Sequence, residues 1–342
     1  MDDADIHMLS VGTALPGPPI DNATLARRFG MDELWEQWVD AFVGTRTRHL
    51  SVDLATGAVR YSLADLAATA GRNALEAAGI TAADVDVVVM GTATPDTLMP
   101  ATVNVVADQL GINDVPTYQL QSGCAGAVQA IDVACRMLRG GHRTALVLAG
   151  DTATKYFDLG IDLTKLPPAE LVNVVLFGDG AGAAVLTAEP APGTAVVRRL
   201  LNRLVGGGRP PGHVLDWFGP ADRGSTRPAA HEDYAAIAES VPVLALEIFE
   251  ELLSDLGWTR SDVHYLLPPQ LSARMTARIV TELAVPAAEE VSCVQDTANN
   301  GNALPFLQLE LALAKMATGD RLVGVAVESS KWLKAGFALE RV

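Results

Sequence analysis

The sequence predicts an α/β fold built from two duplicated halves, and three observations carry that expectation. Short β-branched runs alternate with Ala- and Leu-rich stretches of helical spacing, one turn motif occurs twice, and the residues around both copies correspond at a single offset. Alternation of this kind places helices over the faces of a sheet. Val85 to Met90 (VDVVVM) reads as a buried strand and Thr144 to Ala149 (TALVLA) as another. Between them, Ala101 to Leu110 and Ala125 to Gly140 carry helical spacing.

The repeated motif is GITAADV at Gly79 to Val85 and GWTRSDV at Gly257 to Val263. Gly, Thr, Asp and Val match at identical spacing. Each copy follows a helical segment, Leu66 to Ala78 or Leu244 to Leu256, and precedes an apolar strand. A glycine ends the helix in the left-handed region, the threonine opens the turn, and the strand begins at valine. The offset of 178 residues divides the chain into an N-terminal half, 1–186, and a C-terminal half, 187–342. Applied to Cys124, the same offset lands on Asn302. Gly123-Cys124-Ala125 then faces Gly301-Asn302-Ala303, each just before an apolar helix. In a duplicated fold, two such helix N-termini converge on the pseudo-twofold axis, where a shared active site belongs.

Composition narrows the function classes. With 342 residues, 49% of them apolar, the chain buries a large core. No apolar run is long enough for a membrane span, and the acidic start (Met1-Asp2-Asp3-Ala4-Asp5) is unlike a secretory signal. The three cysteines, Cys124, Cys135 and Cys293, are too scattered for a disulfide framework or a structural zinc site, which points to a reducing cytoplasm. A formal net charge of -16 argues against nucleic acid as a partner. Arg198, Arg199, Arg203 and Arg209 form the densest basic cluster, either a docking patch or a solvated face. Gly206 to Ala230, rich in Gly and Pro, reads as an exposed excursion.

Cys124 is the candidate nucleophile. A strand at Thr117 to Gln121 leads into Ser122-Gly123-Cys124-Ala125-Gly126 and then a helix. Backbone N–H groups and the positive end of the helix dipole favour thiolate there, so a lowered thiol pKa is expected. Cys135, mid-helix, and Cys293, in an apolar strand-like run, read as small buried hydrophobes.

Around Cys124, Gln121-Ser122-Gly123-Cys124-Ala125-Gly126 resembles the nucleophile motif of the thiolase superfamily, nearest to β-ketoacyl-acyl-carrier-protein synthase III. Val43-Gly44-Thr45-Arg46-Thr47-Arg48 resembles that family's early Gly-Ile-x-x-Arg region. Phe177 to Val185 (FGDGAGAAV) resembles its Gly-Asp-Gly-Ala turn, here a structural turn because no Gly-Lys-Ser/Thr ending makes it a phosphate loop. Gly336 to Val342 resembles its final strand. The resemblance spans essentially the whole chain and implies a duplicated five-layer αβαβα fold, usually a homodimer.

The pattern breaks at one place. The family's condensing enzymes use Cys, His and Asn, with the His in Pro-His-Gln-Ala-Asn. Here the segment is Pro268-Pro269-Gln270-Leu271-Ser272, so Pro269 stands where the His belongs. His264, five residues upstream on the expected strand, is the nearest substitute. The Asn falls on Asn302 by the repeat and the Gly-Asn match, or on Asn299 by its distance from the His position. Asn299-Asn300-Gly301-Asn302 contains the candidate without identifying it, and such residues also cap helices. The loop Glu328-Ser329-Ser330-Lys331-Trp332-Leu333-Lys334 replaces the family's glycine-rich loop. Trp38 matches an aromatic position that stacks on the nucleotide of coenzyme A, but Phe42 stands where its basic partner is expected. Arg274 matches a carrier-docking arginine.

These departures resemble the acyltransferases of natural-product pathways. The resemblance implies an acyl or aroyl group held as a Cys124 thioester. The donor is an acyl-carrier-protein phosphopantetheine or a coenzyme A thioester, and the acceptor a hydroxyl, an amine or a second carrier thiol. A decarboxylating β-ketoacyl synthase III and a non-catalytic subunit of a heterodimeric synthase are the alternatives. No permanently bound cofactor or metal is expected.

Overall fold

In the computed structural model, residues 5–156, 159–166, 171, 175–216 and 230–342 are described. The first set of major elements is β1 (His7–Ala14), α3 (Leu63–Ala78), β4 (Val87–Thr92), α4 (Thr102–Leu110), β5 (Thr117–Gln121), α5 (Gly126–Arg139), β6 (Thr144–Asp151) and β7 (Gly180–Thr187). The second is β8 (Ala195–Leu204), α6 (Tyr234–Leu256), β11 (Tyr265–Leu267), α7 (Ala273–Leu283), β12 (Glu289–Glu290), α9 (Leu304–Leu313), β13 (Arg321–Glu328) and β14 (Leu333–Arg341). Smaller elements are β2 (Ile20–Asp21), α1 (Asn22–Phe29), α2 (Glu33–Phe42), β3 (Thr47–Arg48), the ribbon of β9 (His213–Leu215) and β10 (Ala230–Glu232), and α8 (Val294–Thr297).

The sheet order is β12-β11-β13-β14-β8-β1-β7-β6-β4-β5. It reads outward from its middle as the same pattern twice. From β1, the neighbours are β7, β6, β4 and β5; from β8, they are β14, β13, β11 and β12. Both sets share their pairing directions: two antiparallel ladders, then two parallel ones. The central strands are buried along nearly their whole length, which is why they read as continuous apolar runs rather than alternating ones.

The repeated turn folds identically in both copies. Gly79 and Gly257 close α3 and α6 at φ 69° and 64°, in the left-handed region that glycine enters without strain. Thr81 and Asp84 then form a reciprocal capping box around one 3₁₀ turn, and Thr259 and Asp262 form its counterpart. Val85 and Val263 are buried beyond it. The first strand therefore starts at Val87 rather than Val85, because Ala82–Asp84 spend their backbone in the turn. The second helix reaches back to Tyr234, its buried face running through Ile237, Val241, Leu244, Ile248 and Leu252.

Three apolar clusters stack the elements. One joins α5 and α9 between the two sets of strands, one joins α3 and α4 to the outer face of the first set, and one joins α6 and α7 to the outer face of the second. The result is the expected five-layer αβαβα order. It brings the starts of α5 and α9, and hence Cys124 and Asn302, to the middle of the molecule.

Of the Gly206–Ala230 excursion, residues 217–229 lie outside the described residues. Its first part is not free. Trp332, at φ 62°, donates its indole N–H to the Pro210 carbonyl at 2.7 Å, and the Arg209 guanidinium stacks 4.2 Å over the ring. The Gly212 N–H reaches the Ser329 carbonyl at 3.0 Å. This first part is thus pinned onto the Glu328–Lys334 loop.

Candidate active site

Cys124 sits between β5 and α5, half-buried, on the wall of a small cavity. Pro268, Pro269, Gln270, Asn299 and Gly301 line the same cavity, whose volume of about 20 Å³ has room for a water and little more. Pro269, where a histidine was expected, is buried and lines this cavity. Buried amides hold the proline segment: Gln308 Nε2 donates to the Pro268 carbonyl at 3.0 Å, and Gln270 Oε1 accepts from the N–H groups of Cys293 and Val294. His264 is exposed ahead of β11, its Nδ1 accepting from the Arg321 N–H, and does not line the cavity.

The expected lowering of the Cys124 pKa is overturned. Burial pushes the thiol up to about 12, and the carboxylates of Glu328, Asp151 and Glu232 push in the same direction. The α5 N-terminus does not compensate, since its first N–H groups are already spent: Gly126 donates to the Gly123 carbonyl and Ala127 to Asn302 Oδ1. At rest the site therefore holds a thiol. Cys135 is buried within α5, as expected. Cys293 caps α8 instead of lying in a strand, its Sγ 3.6 Å from Gln270 Oε1.

The two asparagines differ sharply. Asn302 is fully buried and its amide is committed: Nδ2 donates to the Ser122 carbonyl (3.0 Å) and to Asp151 Oδ2 (2.9 Å), and Oδ1 accepts from the Ala127 N–H (3.0 Å). Asn299 Oδ1 accepts from the Gly301 N–H, while its Nδ2 has no hydrogen bond among the described residues and Asn299 lines the Cys124 cavity. Asn300 is buried, its Nδ2 held by the Asp179 carbonyl. Gly301 has φ 54°, and a side chain there would meet Asp151 Oδ2 at 2.3 Å.

Two acidic residues near the cysteine escaped the sequence reading. Asp151 ends β6 and collects six donors: Thr92 Oγ1, the Ala93 and Thr94 N–H groups, Thr94 Oγ1, and the backbone and side-chain N–H of Asn302. Burial nonetheless holds its carboxyl above the usual range. Glu328 ends β13, accepting from Ser122 Oγ at 2.6 Å and from Ser330 Oγ. The signal in both cases is an acidic residue closing a strand that is apolar after its first residue.

The Gly178–Gly182 cluster is a structural turn, with Asp179 buried and accepting from the N–H groups of Ser51 and Thr154. Among the candidate docking residues, Trp38 is half-buried on α2, its ring 5.9 Å from that of Phe42. Arg274 is exposed at the start of α7, its backbone N–H 3.5 Å from the Val43 carbonyl at the end of α2. The basic cluster is largely neutralised: Arg198 pairs with Glu340, Arg199 with Asp255, and Arg203 with Glu251. No helix among the described residues is long and apolar enough to cross a membrane.

Residues 118–201 match the 3-oxoacyl-[acyl-carrier-protein] synthase III family, and residues 43–153 the thiolase N-terminal domain. A β-ketoacyl-[acyl-carrier-protein] synthase III of Rhizorhabdus wittichii is 31% identical, over 92% of this chain and 93% of that protein. Among solved structures, AbyA1, described as a tetronic acid condensing enzyme, is 62% identical with TM-score 0.95, covering 98% of this chain and 99% of its own. The 3-oxoacyl-(acyl carrier protein) synthase III of Pseudomonas aeruginosa PAO1 is 25% identical with TM-score 0.83, covering 98% of each. The chain, with its cysteine at the centre of a duplicated αβαβα fold, belongs to the β-ketoacyl-acyl-carrier-protein synthase III family of the thiolase superfamily.

Proposed function

We propose that Cys124 takes an acyl group from an acyl-carrier-protein or coenzyme A thioester and passes it to an acceptor without decarboxylation, in a natural-product pathway. The observation that carries this reading is Pro269 on the wall of the Cys124 cavity, in the histidine's place. Decarboxylating a malonyl thioester builds enolate charge on the thioester oxygen, and a lost donor there costs about 10²–10³ in rate. A proline side chain supplies neither donor nor base. Acyl capture requires less: the thiol, a proton acceptor, and a donor for the tetrahedral oxyanion. Asn299 Nδ2 is assigned that donor role, and Asn302 the role of holding the Cys124 loop.

The likeness to AbyA1 supports a particular acceptor. A tetronic acid is a five-membered enol lactone. Condensation assembles it by joining an acyl carbon that bears an α-oxygen to a carbon flanked by two carbonyls, then closing the ring through that α-oxygen. Such a carbon is acidic without losing CO₂. An α-hydroxyacyl group on Cys124, attacked by the carbanion of a β-ketoacyl thioester, releases the Cys124 thiolate; ring closure then releases the acceptor's carrier thiol. In this reading the acceptor atom is carbon, in place of the hydroxyl, amine or thiol expected from the sequence.

Arg274, at the start of α7, and Trp38, on α2, are assigned to docking the donor's phosphopantetheine arm. The sheet edge at β5 carries no further strand among the described residues, and Tyr118 on it is exposed, as are Leu98 and Met99, which supports assembly as a homodimer. The test is to mix the protein with α-hydroxyacyl and β-ketoacyl carrier thioesters. The expected product is an acyl tetronic acid identified by mass, with no CO₂ released from malonyl carrier thioesters. CO₂ release would overturn the reading in favour of a decarboxylating synthase.

A further inference from the structure

We propose that Glu328 is the proton carrier of the Cys124 site, doing the work that the family's pattern gives to a histidine. The proposal rests on Cys124 being the acyl carrier. Glu328 is buried at the end of β13, and the position a side chain would take on Gly123 lies 3.1 Å from its carboxyl carbon. Ser122 and Ser330 each donate a hydroxyl to one of its two oxygens, so the group is aimed but not saturated. No cation among the described residues pairs with it.

The other two carboxylates facing the cysteine are otherwise engaged. Asp151, from β6, is filled by six donors and serves the Asn302 loop. Glu232, from β10, has His213 3.6 Å away and a hydrogen bond with Tyr234. Of the three, Glu328 is the one bonded to Ser122 and set over the side-chain position of Gly123, and it keeps lone pairs unspent among the described residues.

The proton balance closes. As Cys124 attacks the donor thioester, its thiol proton passes to the Glu328 carboxylate, the C–S bond to the donor breaks, and the departing thiolate takes that proton. Glu328 next accepts the proton of the acceptor carbon. The carbanion attacks the Cys124 thioester, a C–C bond forms, and the Cys124–acyl bond breaks. The Cys124 thiolate then recovers the proton from the Glu328 carboxylic acid. A thiol that resists ionisation fits this cycle, because a proton is handed to it each time it leaves.

The test compares native protein with Glu328→Gln in two assays: turnover with carrier thioesters, and alkylation of Cys124 by iodoacetamide at pH 8. Thermal unfolding serves as the control for folding. Loss of the proton carrier is expected to slow turnover by about 10²–10⁴-fold. Alkylation is expected to be unchanged or faster, because a negative charge beside the thiol has gone. Turnover within threefold of native would overturn the proposal, as would a parallel fall in both rates, which would mean that Glu328 only shapes the loop. Should the glutamine variant not fold, Glu328→Asp is read in the same two assays, with slowed turnover and native alkylation expected. Native protein that never acylates Cys124 would instead overturn the function reading, a distinct result.

Discussion

Asn302 Nδ2 donates to the carbonyl of Ser122 at 3.0 Å, across 180 residues of sequence, and so ties the second half of the chain to the cysteine loop of the first. The contact is reciprocated, since Ser122 Oγ donates to Glu328 at the end of β13 while the end of β6, Asp151, holds Asn302. Each half thus supports the helix start of the other, and Cys124 lies where the two supports cross.

Substituting Asn302 and Asn299 separates structure from chemistry. Asn302→Ala leaves the Ala127 N–H and the Ser122 carbonyl without this partner in a buried site and takes one of six donors from Asp151, and is expected to cost about 2–5 kcal/mol in urea unfolding. Asn299→Ala loses a single bond to the Gly301 N–H, worth about 1 kcal/mol, but should slow acyl transfer by about 10²–10³-fold. A reversed pattern would exchange the two roles.

The cysteine should be sluggish toward simple alkylating reagents. With its thiol pushed up to about 12 from 9.0, the iodoacetamide rate is expected to climb with pH well beyond 9. A plateau below pH 8 would contradict the three-carboxylate surroundings. Stability is linked with the matching sign. The folded thiol binds its proton more tightly than the unfolded one, so this contribution is whole below about pH 9 and is lost as pH rises toward 12. Cys124→Ala should flatten that alkaline loss in chemical unfolding followed from pH 8 to 11.

Gly301→Ala forces a side chain into Asp151 Oδ2 at 2.3 Å from a backbone at φ 54°. We expect a loss of about 2 kcal/mol or more, read by urea unfolding, together with lost acylation of Cys124. Native stability in this variant would mean that the Asn299–Asn302 turn is not held as described.

The duplicated turn offers a test of the fold. Thr81→Ala and Thr259→Ala remove equivalent capping boxes and should each cost about 0.5–2 kcal/mol by thermal unfolding. Clearly unequal costs would show that the two turns bear different loads.

Much of this was legible in the sequence because its signals are local. The helix–Gly–Thr–Asp–Val turn is written out twice, so the fold's repeat and the meeting of Cys124 with Asn302 followed from one offset. What stayed hidden depends on contacts far apart in the chain. Nothing near Cys124 announces Glu328, 204 residues away, whose approach depends on β13 ending beside Gly123. The helix start at Cys124 was read correctly, but its effect on the thiol was not. Burial and three carboxylates from β6, β10 and β13 outweigh a dipole whose first N–H groups are already bonded. Among the asparagines, spacing fitted two candidates equally, and only their hydrogen-bond partners distinguish an amide bonded at both ends from one bonded, among the described residues, through its oxygen alone.

The most direct measurement is the intact mass of the protein after incubation with a panel of acyl-carrier and coenzyme A thioesters, short α-hydroxyacyl groups among them. The account predicts a gain of one acyl group on Cys124, abolished in Cys124→Ala. A gain that survives in the alanine variant, or none with any donor, would contradict it; the latter would favour a non-catalytic subunit.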